Sequence, residues 1–176
     1  MNSIDWTAVG SITSSIGVIA AIVFFIFENR RSKFSRAIDI LMQYDNKFDS
    51  PEFRATRRRA AEFLLSGGKS DDEEGRQAIN DVLNFFENIA FLYDNNVVNA
   101  KMVWHTFASW FLPYWKTSET YIKESRSYDS TSYENSDALF NKVLAIEKKR
   151  CHNSLMVEED YLKKFIRIET ELPCNR

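Results

Sequence analysis

Between Asp5 and Glu28 the chain carries no charged side chain, and no other feature limits its possible folds so sharply. As a helix, Trp6 to Phe27 reaches roughly 33 Å at about 1.5 Å per residue, enough to cross a hydrocarbon core of about 30 Å. Ser11, Thr13, Ser14 and Ser15 dilute the first half, but a hydroxyl can bond back to the preceding helical turn and so be tolerated in lipid. From Ile16 to Phe27 no polar side chain interrupts the run. A cleaved signal places positive charge before its apolar stretch and small residues after it. Here Asp5 precedes and Glu28, Asn29, Arg30 and Arg31 follow, so a retained anchor over residues 6–27 is expected.

The flanks set the orientation. Arg30, Arg31, Lys33 and Arg36 crowd the residues just after the apolar end, and no Lys or Arg precedes it. That bias puts residues 1–5 outside and residues 28–176 in the cytoplasm, with the four cations within reach of anionic headgroups. Gly10, Ser14, Gly17 and Ala21 form a stripe of small residues on one face of the span. Close backbone approach along such a stripe is how spans pair, since lipid offers no hydrophobic drive for association. A homo-oligomer is expected. The formal net charge of −2 conceals an asymmetry in the same sense: residues 28–66 hold nine Lys/Arg and six Asp/Glu, residues 67–134 six and eleven.

The rest reads as helices. Phe34, Ala37, Leu41, Tyr44 and Phe48 recur at spacings of three and four with no breaker between them, so the span continues as a stalk. Ser50 and Pro51 are an N-cap and first helical residue, and Gly67 and Gly68 end that helix. Ser70 to Glu73 has the capping-box pattern for a third helix, with core stripe Ile79, Val82, Leu83, Phe86, Ile89, Ala90 and Tyr93. Asn99 caps a fourth, rich in Trp, in which Val103, Trp104, Phe107, Trp110, Phe111, Tyr114 and Trp115 share a face and Pro113 introduces a kink. Residues 125–136 read as a polar loop. Two further amphipathic helices follow, one on Leu139, Val143 and Ile146 and one on Val157, Tyr161, Phe165, Ile168 and Leu172. The fold class expected is all-α: one N-terminal transmembrane helix continuing into a cytoplasmic antiparallel helical bundle.

Chemistry-bearing motifs are scarce. "GGKS" at 67–70 has the tail of a phosphate-binding loop, but Phe63 stands where that motif needs its first Gly, and a helix rather than a strand precedes it. His105 points away from the core stripe of its helix and has no carboxylate nearby in sequence. No Glu-x-x-His pair supplies a di-metal site. Cys151 and Cys174 have no ligand spacing and read as free thiols in a reducing compartment. The strongest charge cluster is Arg54, Arg57, Arg58 and Arg59. On a helical projection Arg57 falls on the face of Phe53, Ala60 and Leu64, so it needs an intramolecular partner, for which Glu87 is the candidate. Arg54, Arg58 and Arg59 point elsewhere, free for anionic lipid. A net acidic domain without a binding motif argues against nucleic acid.

The uncharged span, "YDNKFDSPEFRATRRRAAEFLL" and "VLNFFENIAFLYDNNVVNAKMVWHTFASWFLPYW" together resemble a bacterial family of small proteins carrying a domain of unknown function, over roughly residues 1–125. The resemblance implies a bacterial inner-membrane protein with a helical cytoplasmic domain, and brings no activity or catalytic residue with it. The function expected is that of a membrane-anchored helical protein, acting through self-association and through contact with a protein partner not identified by the sequence. The alternative is a membrane-perturbing effector, a toxin or antiviral-defence component, triggered through its bundle. No enzymatic activity, catalytic residue, metal or cofactor is expected.

Overall fold

Asp49, Ser50 and Pro51 stop the first helix and start the second. Proline bars its predecessor from helical geometry, and Ser50 accordingly sits at φ −62°, ψ 148° with its Oγ accepting a hydrogen bond from the Phe53 amide at 3.2 Å. The structure, a computed structural model, describes residues 6–68, 71–151 and 155–173, with side chains described from residue 23 onward apart from residue 155. Those residues form seven α-helices: α1 (Trp6–Phe48), α2 (Pro51–Leu65), α3 (Glu73–Asp94), α4 (Ala100–Thr117), α5 (Glu119–Tyr128), α6 (Glu134–Cys151) and α7 (Glu159–Thr170). A 3-10 turn, Leu155–Val157, precedes α7. The chain is all-α, and its larger part is a helical bundle.

The chain divides into two compact units, residues 1–39 and 40–176. In the first, only helix α1 is described, and every side chain from Val23 to Arg36 is exposed. Among the described residues no helix is long and apolar enough to cross a membrane. Most of the segment 6–27, and the whole Gly10, Ser14, Gly17 and Ala21 stripe, has its side chains outside those described.

In the second unit α2 packs chiefly on α3 and α7, α3 also on α6, and α4 on α6. The core is aromatic at its centre: Phe48, Phe86, Phe107, Phe111 and Tyr114 are essentially inaccessible to solvent. Phe48 lies within 5.1–5.9 Å of Phe85, Phe86, Phe107 and Trp110, centroid to centroid. The α3 stripe is buried as expected except for Tyr93, which is half-buried. In α4 the face is wider than expected. Phe111, Leu112, Pro113, Tyr114 and Trp115 are all buried, so this half of the Trp-rich helix is enclosed by the bundle. In α7 the buried set is Phe165, Ile166 and Glu169, whereas Ile168 is exposed.

Two local expectations are corrected. The polar loop is only residues 129–133, because α5 extends to Tyr128 and α6 begins at Glu134. Polar composition had suggested a longer break. Here Arg126 donates to the carbonyls of Ser132 and Tyr133, and the Tyr133 hydroxyl donates to Asn80 Oδ1 at 2.6 Å, so the far end of the loop is tied back to α5 and α3. The N-cap of α3 is Asp72 rather than Ser70, which lies outside the described residues.

Asp72 Oδ1 accepts from the Gly75 amide at 3.0 Å, and Gly75 has no room for a side chain. A Cβ there meets Asp72 Oδ2 at 2.5 Å and Phe63 Cδ2 at 2.7 Å. Gly→Ala inside a helix ordinarily stabilises by about 1 kcal/mol. Gly75→Ala is predicted to have the opposite sign, costing about 1–3 kcal/mol through overpacking and loss of the cap. Urea denaturation of the full chain in detergent micelles checks it, a midpoint at or above wild type being the contrary result.

Candidate functional site

Arg57 is the charged side chain that α2 turns inward. It follows Phe53 by four residues and precedes Ala60 and Ala61 on the same buried face, and only 3% of it is exposed. A guanidinium there must find acceptors for its donors or bear a large desolvation cost. It does so in three directions. Nε donates to Glu169 Oε2 at 2.9 Å and Nη2 to Oε1 at 2.6 Å, a bidentate fork from α2 to α7. Nη1 donates to the Phe48 carbonyl at 3.3 Å and stands 3.8 Å from Asp49 Oδ1. The face of the guanidinium lies 4.0 Å from the Phe48 ring centroid, with Trp110 at 5.8 Å. Such stacking suits a weakly hydrated planar cation.

Tyr114 of α4 completes the cradle. Its hydroxyl donates to Glu169 Oε2 at 2.6 Å, and the Phe165 ring meets it edge-on at 5.1 Å. Burial, and then the Glu169 carboxylate beside it, push the Tyr114 phenol well above its ordinary range. The phenol therefore stays a neutral donor toward Glu169. What this arrangement does chemically is hold one carboxylate at both oxygens, with aromatic walls around it.

The inward position of Arg57 agrees with the helical projection, but its partner does not. Glu87 lies elsewhere, at the start of α6, accepting from the backbone amides of Asn135 and Ser136 at 3.2 and 3.0 Å, from Asn135 Nδ2 at 2.7 Å and from Ser136 Oγ at 2.6 Å. It satisfies first-turn donors of another helix and favours the positive end of that helix dipole. The expectation that Arg54, Arg58 and Arg59 stand free is also overturned. Arg54 faces Asp49 at 3.7 Å, Arg58 pairs with Glu62 at 3.0 Å one turn on, and Arg59 binds the capping Asp72. Arg30, Arg31, Lys33 and Arg36 are exposed, Arg31 lying 4.0 Å from Glu28.

Glu169 was missed because it sits 112 residues from Arg57 in an ordinary amphipathic helix. A weak signal existed, since Glu169 follows Phe165 by four and so lies on the apolar stripe. The same holds for Glu147, which continues the Leu139, Val143 row of α6. It is buried and accepts from Trp104 Nε1 at 2.6 Å, while Arg150 lies over the Trp104 ring at 4.4 Å. His105 is exposed. Among the described residues no group of three or more His, Cys, Asp or Glu is placed to hold a metal ion.

A model of the family described as a domain of unknown function (DUF4760) matches residues 11–143, and the chain belongs to that family. No curated protein and no solved structure matches it. Phe48, Arg57, Trp110 and Tyr114 lie inside the matched residues. Glu169 and all of α7 lie outside them.

Arg57→Ala is predicted to cost about 3–5 kcal/mol by stranding a buried carboxylate, and Arg58→Ala at most about 1 kcal/mol. Equal denaturation midpoints for the two variants are the result that contradicts the cradle. Alkaline pH gives a second test. With the Tyr114 phenol raised in the folded state, the unfolded chain loses that proton first. Stability should be intact below the unfolded phenol range of about 10 and fall as pH rises above it. Tyr114→Phe should flatten that alkaline slope, read as the pH dependence of the midpoint, and an unchanged slope assigns the loss to other tyrosines.

Proposed function

We propose that this chain is a single-pass membrane-anchored protein whose helical bundle works by binding protein partners. Residues 6–27 are the span, the N-terminus is outside, and residues 28–176 face the cytoplasm at a bacterial inner membrane. The observation that carries this reading is the run Val23, Phe24, Phe25, Ile26 and Phe27, in which every side chain is between 47% and 69% exposed. Five consecutive residues at 100° per residue point to all sides of a helix. A one-sided partner cannot cover them, whereas hydrocarbon surrounds them all. The exposed Arg30, Arg31, Lys33 and Arg36 follow directly, where cytoplasmic headgroups favour cations. The family match also begins within this apolar segment, which supports treating it as a working part of the protein. Copies associate through the Gly10, Ser14, Gly17 and Ala21 stripe. The cradle supports a binding reading in that it already holds a helix-borne carboxylate at both oxygens, the kind of contact by which one helix recognises another.

The full-length protein is predicted to stay with membranes through alkaline carbonate extraction, and a reporter fused after residue 176 to be active in the cytoplasm. Release into the supernatant at high pH contradicts the anchor. Periplasmic reporter activity reverses the orientation.

A further inference from the structure

We infer that the Arg57–Tyr114 cradle is a receptor for a carboxylate-bearing amphipathic helix, which α7 occupies in cis and which a partner helix of the same pattern enters by displacing α7. The inference rests on the reading that the bundle binds proteins, and it names the chemistry of what is bound. It does not depend on the anchor.

Receptor and occupant come from different parts of the chain. Phe48, Arg57, Trp110 and Tyr114 belong to the stretch matched by the family model, whereas Phe165, Ile166 and Glu169 follow it. The hold of α7 is limited: of its twelve residues Phe165, Ile166 and Glu169 are buried, Tyr161, Leu162 and Thr170 are half-buried, and the other six are exposed. A helix of that length is marginal alone in water, so its order depends on docking, and elements held by few buried side chains open first.

Opening without replacement is costly, because Arg57 loses both of its bonds to the Glu169 carboxylate and keeps only the Phe48 carbonyl and the half-exposed Asp49. Exchange for another helix carries no such penalty, provided that the newcomer also brings a carboxylate. The electrostatics therefore select the incoming helix. The fork of two guanidinium bonds fixes the carboxylate in orientation as well as in charge, and the third bond, from Tyr114, requires an acceptor on the same oxygen. The apolar side chains that accompany it stand three and four residues earlier, Ile166 and Phe165, the latter edge-on to Tyr114. The ligand class is thus a helix with an aromatic–aliphatic pair one turn before an acid.

The test uses the full chain in detergent micelles, so its result is independent of membrane extraction. A fluorescein-labelled peptide of residues 157–173 is titrated against the chain carrying Glu169→Gln, whose own α7 competes weakly, and anisotropy is read. The peptide is expected to bind saturably, and its Glu169→Gln counterpart at least about tenfold more weakly, as for loss of a charge-assisted bond. The wild-type chain should bind the peptide less well than the variant. No binding to the variant, or equal affinity for both peptides, overturns the proposal. Should Glu169→Gln not fold, Phe165→Ala thins the apolar hold of α7 and serves as the recipient under the same criteria. Hydrogen exchange on the wild-type chain adds a measurement without any variant. The α7 amides should exchange faster than those of α3, and equal protection of the two helices counts against a displaceable α7.

Discussion

A guanidinium at the centre of an aromatic core cannot be tolerated by one helix alone. Arg57 is satisfied only because the last turn of α1 offers the Phe48 carbonyl, α4 holds Glu169 from the far side through Tyr114, and α7 delivers the carboxylate itself. Remove any of these and a donor or acceptor is left dry. A buried pair of this kind is a weak source of net stability, since an apolar replacement of similar volume often does as well. What it adds is discrimination: packings that slide α7 or rotate α2 separate the charges, and each costs far more than the misplacement of a methyl group. The aromatic side chains supply the burial, and Arg57 selects which helices share it.

The other inward carboxylates follow the same logic at lower stakes. Glu87 saturates the first turn of α6 from α3, Asp72 caps α3 while binding Arg59 of α2, and Glu147 accepts the Trp104 indole. Each joins two helices by satisfying donors that one helix leaves open. Asn80 does so with an amide, its Oδ1 accepting from both Tyr121 and Tyr133. Among the described residues one buried side-chain atom stands apart, the Ser118 hydroxyl oxygen at the junction of α4 and α5, which has no partner.

Most of the helical order was legible in the sequence because its signals are local. Ser50 with Pro51, Gly67 with Gly68, and Asn99 act within one turn, and the structure uses each in the expected place. Gly67 and Gly68 take φ of +80° and +69°, the left-handed turn that closes α2. The α3 stripe was equally clear, being a run of large apolar residues at helical spacing. The cradle was half legible. That Arg57 points inward follows from periodicity, but which acid meets it is a matter of how helices far apart in sequence dock. Glu87, which flanks the apolar stripe of α3, was the candidate, but it has a stronger claim on it, four donors at the start of α6. The loop at 129–133 was overestimated because the polar composition of residues 125–136 reads as one break. Arg126 and Tyr133 instead tether it, a tertiary effect with no local signature.

The bounds of the family match give the cradle a further consequence. Residues 11–143 contain the inward guanidinium and nearly all of its surroundings, but the acid nearest to it within that stretch, Asp49, is about half exposed and reaches one nitrogen at 3.8 Å. A largely solvated carboxylate at that distance cannot neutralise a charge whose other donors face the core. In this chain the balance is met from beyond the match, by a helix that buries three side chains. Phe165 and Ile166, with Tyr161 and Leu162 half-buried, are modest apolar area with which to order twelve residues, so the fork on Glu169 decides how α7 is seated on the bundle. Its carboxylate fixes the register in which it docks, and a helix beyond the family match completes the electrostatics of the core.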